Sequence, residues 1–127
     1  MGSSLQYRDL RIRCVRFVSM IIKLLDSIEK RNVKFALASQ VIRSSSSIGA
    51  NYVEGSGGVS KRDWLNYMNI ARKSALETEY WLDVLRESCP KIDNKLLDKI
   101  ALECEELIKI FTSITKTDYE RYGKNKK

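Results

Sequence analysis

Residues 40–58 read Q-V-I-R-S-S-S-S-I-G-A-N-Y-V-E-G-S-G-G, and residues 60–82 follow as S-K-R-D-W-L-N-Y-M-N-I-A-R-K-S-A-L-E-T-E-Y-W-L. Wound at roughly 100° per residue, the first run places Val41, Ile48 and Tyr52 on one side, with small Ala38, Ser45 and Gly49 beside them. The opposite side collects Gln40, Arg43, Ser47, Asn51 and Glu54 into a polar stripe. Gly55, Gly57 and Gly58 are expected to break the helix. Ser60 can cap a new one, with Asp63 as the acid of its first turn. The stretch therefore predicts a helical hairpin. Four consecutive serines, Ser44 to Ser47, lower helix propensity. Inside a helix they imply close packing of small side chains, or hydroxyls bonded back to carbonyls one turn earlier.

The flanking chain extends the pattern. Leu10, Cys14, Phe17, Ile21, Leu24 and Ile28 are spaced four and three, a bundle seam that predicts a helix over 5–29. Val18, Ile22 and Leu25 are expected to widen that face. Arg8, Arg16, Lys23 and Lys30 fall within about 80° of one another on the other side. A short turn at 30–33 makes the next helix, expected over 34–54, an antiparallel neighbour. The third helix is predicted over 61–88, with Trp64, Met68, Ala71, Ala75, Thr78, Leu82 and Leu85 as its seam. Tyr67, Ile70, Ser74, Trp81 and Val84 form a second stripe. Such a wide apolar face means either a central helix or an oligomer interface, and Tyr67, Ile70, Trp81 and Val84 are the interface candidates. Pro90 ends the third helix and Asp93 can cap the fourth. Leu97, Ile100, Ala101, Cys104, Ile108, Phe111 and Ile114 line the inner side of that last helix. The fold expected is all-α, an up-and-down antiparallel four-helix bundle over residues 5–117, followed by a basic, disordered tail over 118–127.

Composition narrows the function. A chain of 127 residues forms one domain, needing neither disulfide nor metal to fold. It has no histidine, and Cys14, Cys89 and Cys104 form no close pair. Metal spacing and a Cys/His nucleophile are thus absent, and the thiols are expected to be buried and reduced. Glu77 and Glu79 point to different faces, so the ferritin-like carboxylate–histidine site cannot be built. The reading is non-enzymatic, with no cofactor and no metal. No 18-residue apolar run or leader-like opening occurs, so a cytoplasmic protein without a membrane partner is expected. The net charge of +7 is uneven: residues 1–34 carry +5, residues 93–115 carry −2 and residues 116–127 carry +3. Excess charge at the two ends favours a polyanion, RNA or DNA. The candidate contacts are Arg8, Arg16, Lys23, Lys30, Arg43, Arg72, Arg121, Lys124, Lys126 and Lys127. The stripe Gln40, Arg43, Asn51 and Glu54 has two readings. Arg43 and Glu54 fix register against charges such as Arg72, Glu77 or Glu79, or else Arg43 and Arg72 offer forks to phosphates.

The run Gln40, Arg43, Ser47, Ile48, Asn51, Glu54 and Gly55, then Ile70-Ala71-Arg72 and Leu76-Glu77-x-Glu79, resembles the four helix bundle protein family. That family includes proteins encoded in intervening sequences of bacterial 23S ribosomal RNA genes. The chain also looks like a distant relative of the accessory variability determinant protein of diversity-generating retroelements. The likeness covers residues 9–117, and Asn51-x-x-Glu54-Gly55 is its most specific part. Two departures stand out: Gly49 where the family often has Pro, and Arg13 where it has an aromatic residue. The resemblance implies a closed homo-oligomer, with a pentamer favoured, and work associated with nucleic acid. The alternative is a protein–protein adaptor serving a nucleic-acid enzyme such as a reverse transcriptase.

Overall fold

The computed structural model describes residues 4–28, 32–58 and 60–125, and the side chains of 5–28, 35–58 and 60–117. Four helices follow one another: α1 (Ser4–Asp26), α2 (Asn32–Ser56), α3 (Lys61–Ser88) and α4 (Asn94–Asn125). Each packs on the next, α4 returns to α1, and the diagonal pairs make no close backbone approach. This is the antiparallel up-and-down bundle that the seam spacing and short connections dictate. The predicted caps form. Ser60 Oγ accepts from the Asp63 amide at 3.1 Å, and Asp93 Oδ1 accepts from the Leu96 amide at 3.1 Å. They satisfy N–H groups that no helical carbonyl can reach.

The core is built largely on the predicted seams, joined by buried Leu65 and Leu107, which lie outside them. Phe17, Ile21, Leu24, Val41, Ile48, Met68, Leu97, Ile100 and Phe111 are fully buried. At one end Tyr52 stacks on Tyr7 with ring centres 5.3 Å apart, and meets Phe111 and Trp64 edge-on. Three expectations shift. The first helix ends at Asp26, where Ser27 donates through Oγ to the Leu24 carbonyl at 2.6 Å. Ile22 does not widen the core face but stands exposed. The fourth helix does not stop near Thr117; its backbone continues to Asn125, through most of the segment expected to be an unstructured tail.

The serine run uses both devices expected of it. Ser44, Ser45 and Ser46 donate back to the carbonyls of Val41, Ile42 and Arg43 at 3.2–3.3 Å. The small side chains also let α3 come close. The Thr78 hydroxyl lies 2.9 Å from Ser44 Oγ and 2.8 Å from the Ser74 carbonyl. Ser74 Oγ in turn donates to Ser47 Oγ at 2.9 Å. The α2–α3 seam is therefore hydroxyl-lined, and among the described residues no buried side-chain polar atom lacks a partner.

Gly55 is not the helix breaker it looks like in sequence. It lies inside α2 and is buried, and a Cβ there would sit 2.7 Å from Tyr67 Cβ and 2.8 Å from Met68 Cε. Gly49 similarly lets α1 approach, with Cys14 Cβ 2.9 Å from the position its own Cβ would take. Gly55→Ala should lower stability despite alanine's better helix propensity. Tyr67 Cβ is fixed to the α3 backbone, so relief requires moving a helix. Overpacking of this kind costs about 1–3 kcal/mol, against a propensity gain of up to about 1 kcal/mol. Urea unfolding would measure the net loss; a gain would mean that α3 does not pack on this glycine.

Candidate functional site

The polar stripe of α2 divides in the structure. Arg43 donates through Nε to Gln40 Oε1 at 3.1 Å and pairs through Nη2 with Glu77 Oε2 on α3. Trp81 Nε1 donates to the same Glu77 oxygen at 2.9 Å. Asn51 turns inward, donating to the Ser47 carbonyl at 2.7 Å and to Ser47 Oγ at 2.9 Å. Glu54 stays exposed without an ion pair among the described residues. Arg72 is half-buried on α3, and Glu77, not Arg72, is the group that meets Arg43.

The Arg43–Glu77 pair is half open to water, with side-chain exposures of 56% and 38%. Water would resolvate Glu77 if the arginine were removed, and Trp81 would keep its hydrogen bond. Arg43→Ala should therefore cost less than about 1 kcal/mol in unfolding free energy. A loss of several kcal/mol in urea melts would show that the pair is buried and structural.

Arg13 has a defined task. It forms a two-pronged contact to Glu103 on α4, Nε to Oε2 at 3.1 Å and Nη2 to Oε1 at 2.6 Å. The Glu103 hydrogen bond raises the guanidinium's pKa above its ordinary value. This contact also fixes the antiparallel register of α1 and α4. Moving along α1 from Arg13 leads to Arg16 and Lys23, and moving the opposite way along α4 from Glu103 leads to Lys99 and Lys95. At roughly 100° per residue, Arg16 and Lys99 flank the Arg13–Glu103 contact, and Lys23 and Lys95 lie farther out on the same sides; all four are exposed, and the Glu106 carboxylate acts on Arg13 from α4 beside them. None of the four forms an ion pair among the described residues. Lys95 and Lys99 escaped sequence reading because they lie in a segment of net negative charge. Only the register set by Arg13 and Glu103 brings them level with Arg16 and Lys23.

Arg8 is exposed near the middle of the outer face of α1. Lys30, Lys126 and Lys127 lie outside the described residues, as do the side chains of Arg121 and Lys124. The proposed interface stripe of α3 also splits. Tyr67 and Trp81 are half-buried and pack against the core, so both contribute to the bundle itself. Ile70 is exposed and Val84 half-exposed on the outer side. The three cysteines are free and buried. Burial first, then Glu103 for Cys14 and Glu79 for Cys104, push those two thiols up to about 12. They are held as neutral thiols, with Cys104 Sγ 3.4 Å from the Ala75 carbonyl. No helix among the described residues is long and apolar enough to cross a membrane.

A bundle of four antiparallel helices, with a hydroxyl-lined seam and charged outer grooves, is the class of protein defined by these features. The chain belongs to the 23S rRNA-intervening sequence protein family, whose model matches residues 9–113. A solved structure from Bacteroides thetaiotaomicron VPI-5482, a protein of unknown function from the S23 ribosomal protein family, shares the fold with a TM-score of 0.76. It is 32% identical over 87% of this chain and 97% of its own. No curated protein matches this chain.

Proposed function

We propose that this is a non-catalytic, oligomeric protein that binds RNA with little sequence preference, through the groove between α1 and α4. The observation that carries the reading is the set Arg16, Lys23, Lys95 and Lys99: four exposed bases, in no ion pair among the described residues, brought to facing flanks of α1 and α4 by helix register. Ammonium and guanidinium groups spaced along a groove suit a phosphate backbone, and contacts to phosphates carry no sequence information. The family's association with ribosomal RNA genes makes RNA the first candidate and DNA the second. The basic candidates of the final segment, Arg121, Lys124, Lys126 and Lys127, would add to the same polyanion contact. In an oligomer, with five copies favoured by the resemblance, each basic groove is repeated, and weak contacts reinforce one another.

The test compares single-stranded RNA, duplex RNA and duplex DNA, each titrated against the full chain at low salt. Binding to RNA of several unrelated sequences with similar affinity is expected. Absence of binding at about 50 mM salt, where phosphate contacts are strongest, would end the reading. Capture of a single polypeptide partner instead of nucleic acid would support the adaptor alternative, including service to a reverse transcriptase.

A further inference from the structure

The outer groove between α3 and α4 sorts its charges along its length. Its register is set by the Arg86–Asp98 ion pair at 2.9 Å and by Cys104 Sγ, 3.4 Å from the Ala75 carbonyl. Around these contacts the groove is acidic: Glu79, Glu105 and Asp83 all act on the buried Cys104 thiol. Beyond them, toward the start of α3 and the end of α4, the sign changes. At roughly 100° per residue, Lys61 and Arg72 lie on the flank of α3 that carries Arg86. Lys109, Thr112 and Lys116 lie on the flank of α4 that carries Asp98. The antiparallel register brings Arg72 level with the turn of α4 before Lys109, and Lys116 level with the first turn of α3.

Arg72 is the informative member. Its side chain is half-buried, yet it makes no hydrogen bond or ion pair among the described residues. Glu105 borders it from α4 without pairing, and Glu79 lies two turns away on its own helix. A guanidinium carries its donors in a fixed fork, which an anion with two adjacent oxygens satisfies best. The three lysines are exposed. Lys61 and Lys116 are in no ion pair among the described residues. Lys109 only approaches Glu106, at 3.8 Å, a contact between two open side chains that is worth little. This basic stretch lies on the other flank of α4 from the groove described above and nearer its other end. Lys99 and Lys109 are about 15 Å apart along the helix axis.

We propose that the Arg72–Lys109–Lys116 end of the α3–α4 groove is a second phosphodiester site, and that one RNA strand crosses the outer side of α4 to occupy both grooves. The inference rests on the RNA reading above and adds where the strand goes when it leaves the first groove. Arg72 takes one phosphate in a two-pronged contact, Lys109 and Lys116 neutralise its neighbours, and the exposed Thr112 hydroxyl donates beside them. Glu106 lies between the two grooves, so the crossing stretch of the strand makes no phosphate contact there. The acidic half, with Glu79, Asp83 and Glu105, repels a polyanion and stops the strand from running farther along α3. Two weak contacts on one strand reinforce each other, because the second forms at high effective concentration.

The test titrates uridine oligomers of about 4 to about 16 nucleotides against the full chain over a range of salt. Wild-type protein should gain affinity steeply once an oligomer is long enough to reach both grooves. Arg72→Gln/Lys109→Gln/Lys116→Gln should lose that gain yet bind the shortest RNA much as wild type does. For the longest RNA its salt exponent should fall by about 2, the change expected for three lost phosphate contacts on a single strand. Lys109→Gln/Lys116→Gln touches only exposed side chains and should show about two-thirds of that change, which decides the matter if circular dichroism shows the triple variant misfolded. Arg72→Lys should weaken binding at an unchanged exponent, because an ammonium keeps the charge and loses the fork. No binding of any RNA by the wild type at about 50 mM salt would remove the RNA reading and the second groove together. RNA binding with the same length dependence and salt exponent in wild type and folded variants would overturn the second groove alone.

Discussion

Phe111→Ala should remove about 3–5 kcal/mol of unfolding free energy. The ring is fully buried and meets Tyr52 edge-on, with centres 5.9 Å apart. Truncation forfeits its transfer from water and opens a cavity between helices tied elsewhere by Arg13–Glu103 and the hydroxyl seam. Those ties limit collapse, which places the expected cost toward the upper part of the range. A domain of this size is stable by only about 5–15 kcal/mol, so the loss is a large share of the total. Urea unfolding at fixed protein concentration measures it, and the concentration matters because assembly shifts apparent stability. A loss below about 1 kcal/mol would mean that Phe111 does not fill the core.

Replacing Arg16, Lys23, Lys95 and Lys99 together by alanine should have the largest effect on RNA binding. Each phosphate neutralised releases condensed cations, so affinity falls as a power of salt concentration. Four such contacts correspond to about a hundredfold loss of wild-type affinity between about 50 and 200 mM salt. The quadruple variant should bind more weakly at low salt and show a flatter salt dependence. Because the four side chains are exposed and form no ion pair among the described residues, its folded stability should remain close to wild type. Removing residues 118–127, which deletes four bases and two acids, provides a separate arm. A quadruple variant with wild-type affinity and salt slope would move the contact away from the groove. Loss confined to the truncated chain would place it in the final segment.

The fold was legible because both core seams of the hairpin obey helical spacing without interruption. Val41, Ile48 and Tyr52 face the core, as do Met68, Ala71, Thr78 and Leu82. Ser60 and Asp93 announced their helices for the reason that they cap them: a short side-chain oxygen beside an unpaired amide. Gly55 misled because glycine serves two purposes. It ends helices through backbone freedom, and within them it admits a neighbour where any Cβ would collide. The candidate site was less legible. Arg16 and Lys23 stood out by their periodicity, but Lys95 and Lys99 join them only through an interhelical register. Ile22 reads as core because an apolar residue near a seam is usually part of it, yet it stands exposed on the outer side of α1.

Helix α1 touches its neighbours least: α2 and α3 share the most extensive seam, α3 and α4 the next, and α1 meets α4 only sparingly. Regions with few buried contacts open at lower free energy than the rest of a domain. The three later helices, joined by short connections and local contacts, can consolidate before α1 docks. The helix with the weakest intramolecular hold also leaves Leu5, Ile12, Val15 and Ile22 exposed. In the oligomer proposed above, a copy that covered them would hold α1 from outside while the core holds it from within. Folding of the first helix and association of the chains would then be one thermodynamically coupled process, each making the other more favourable.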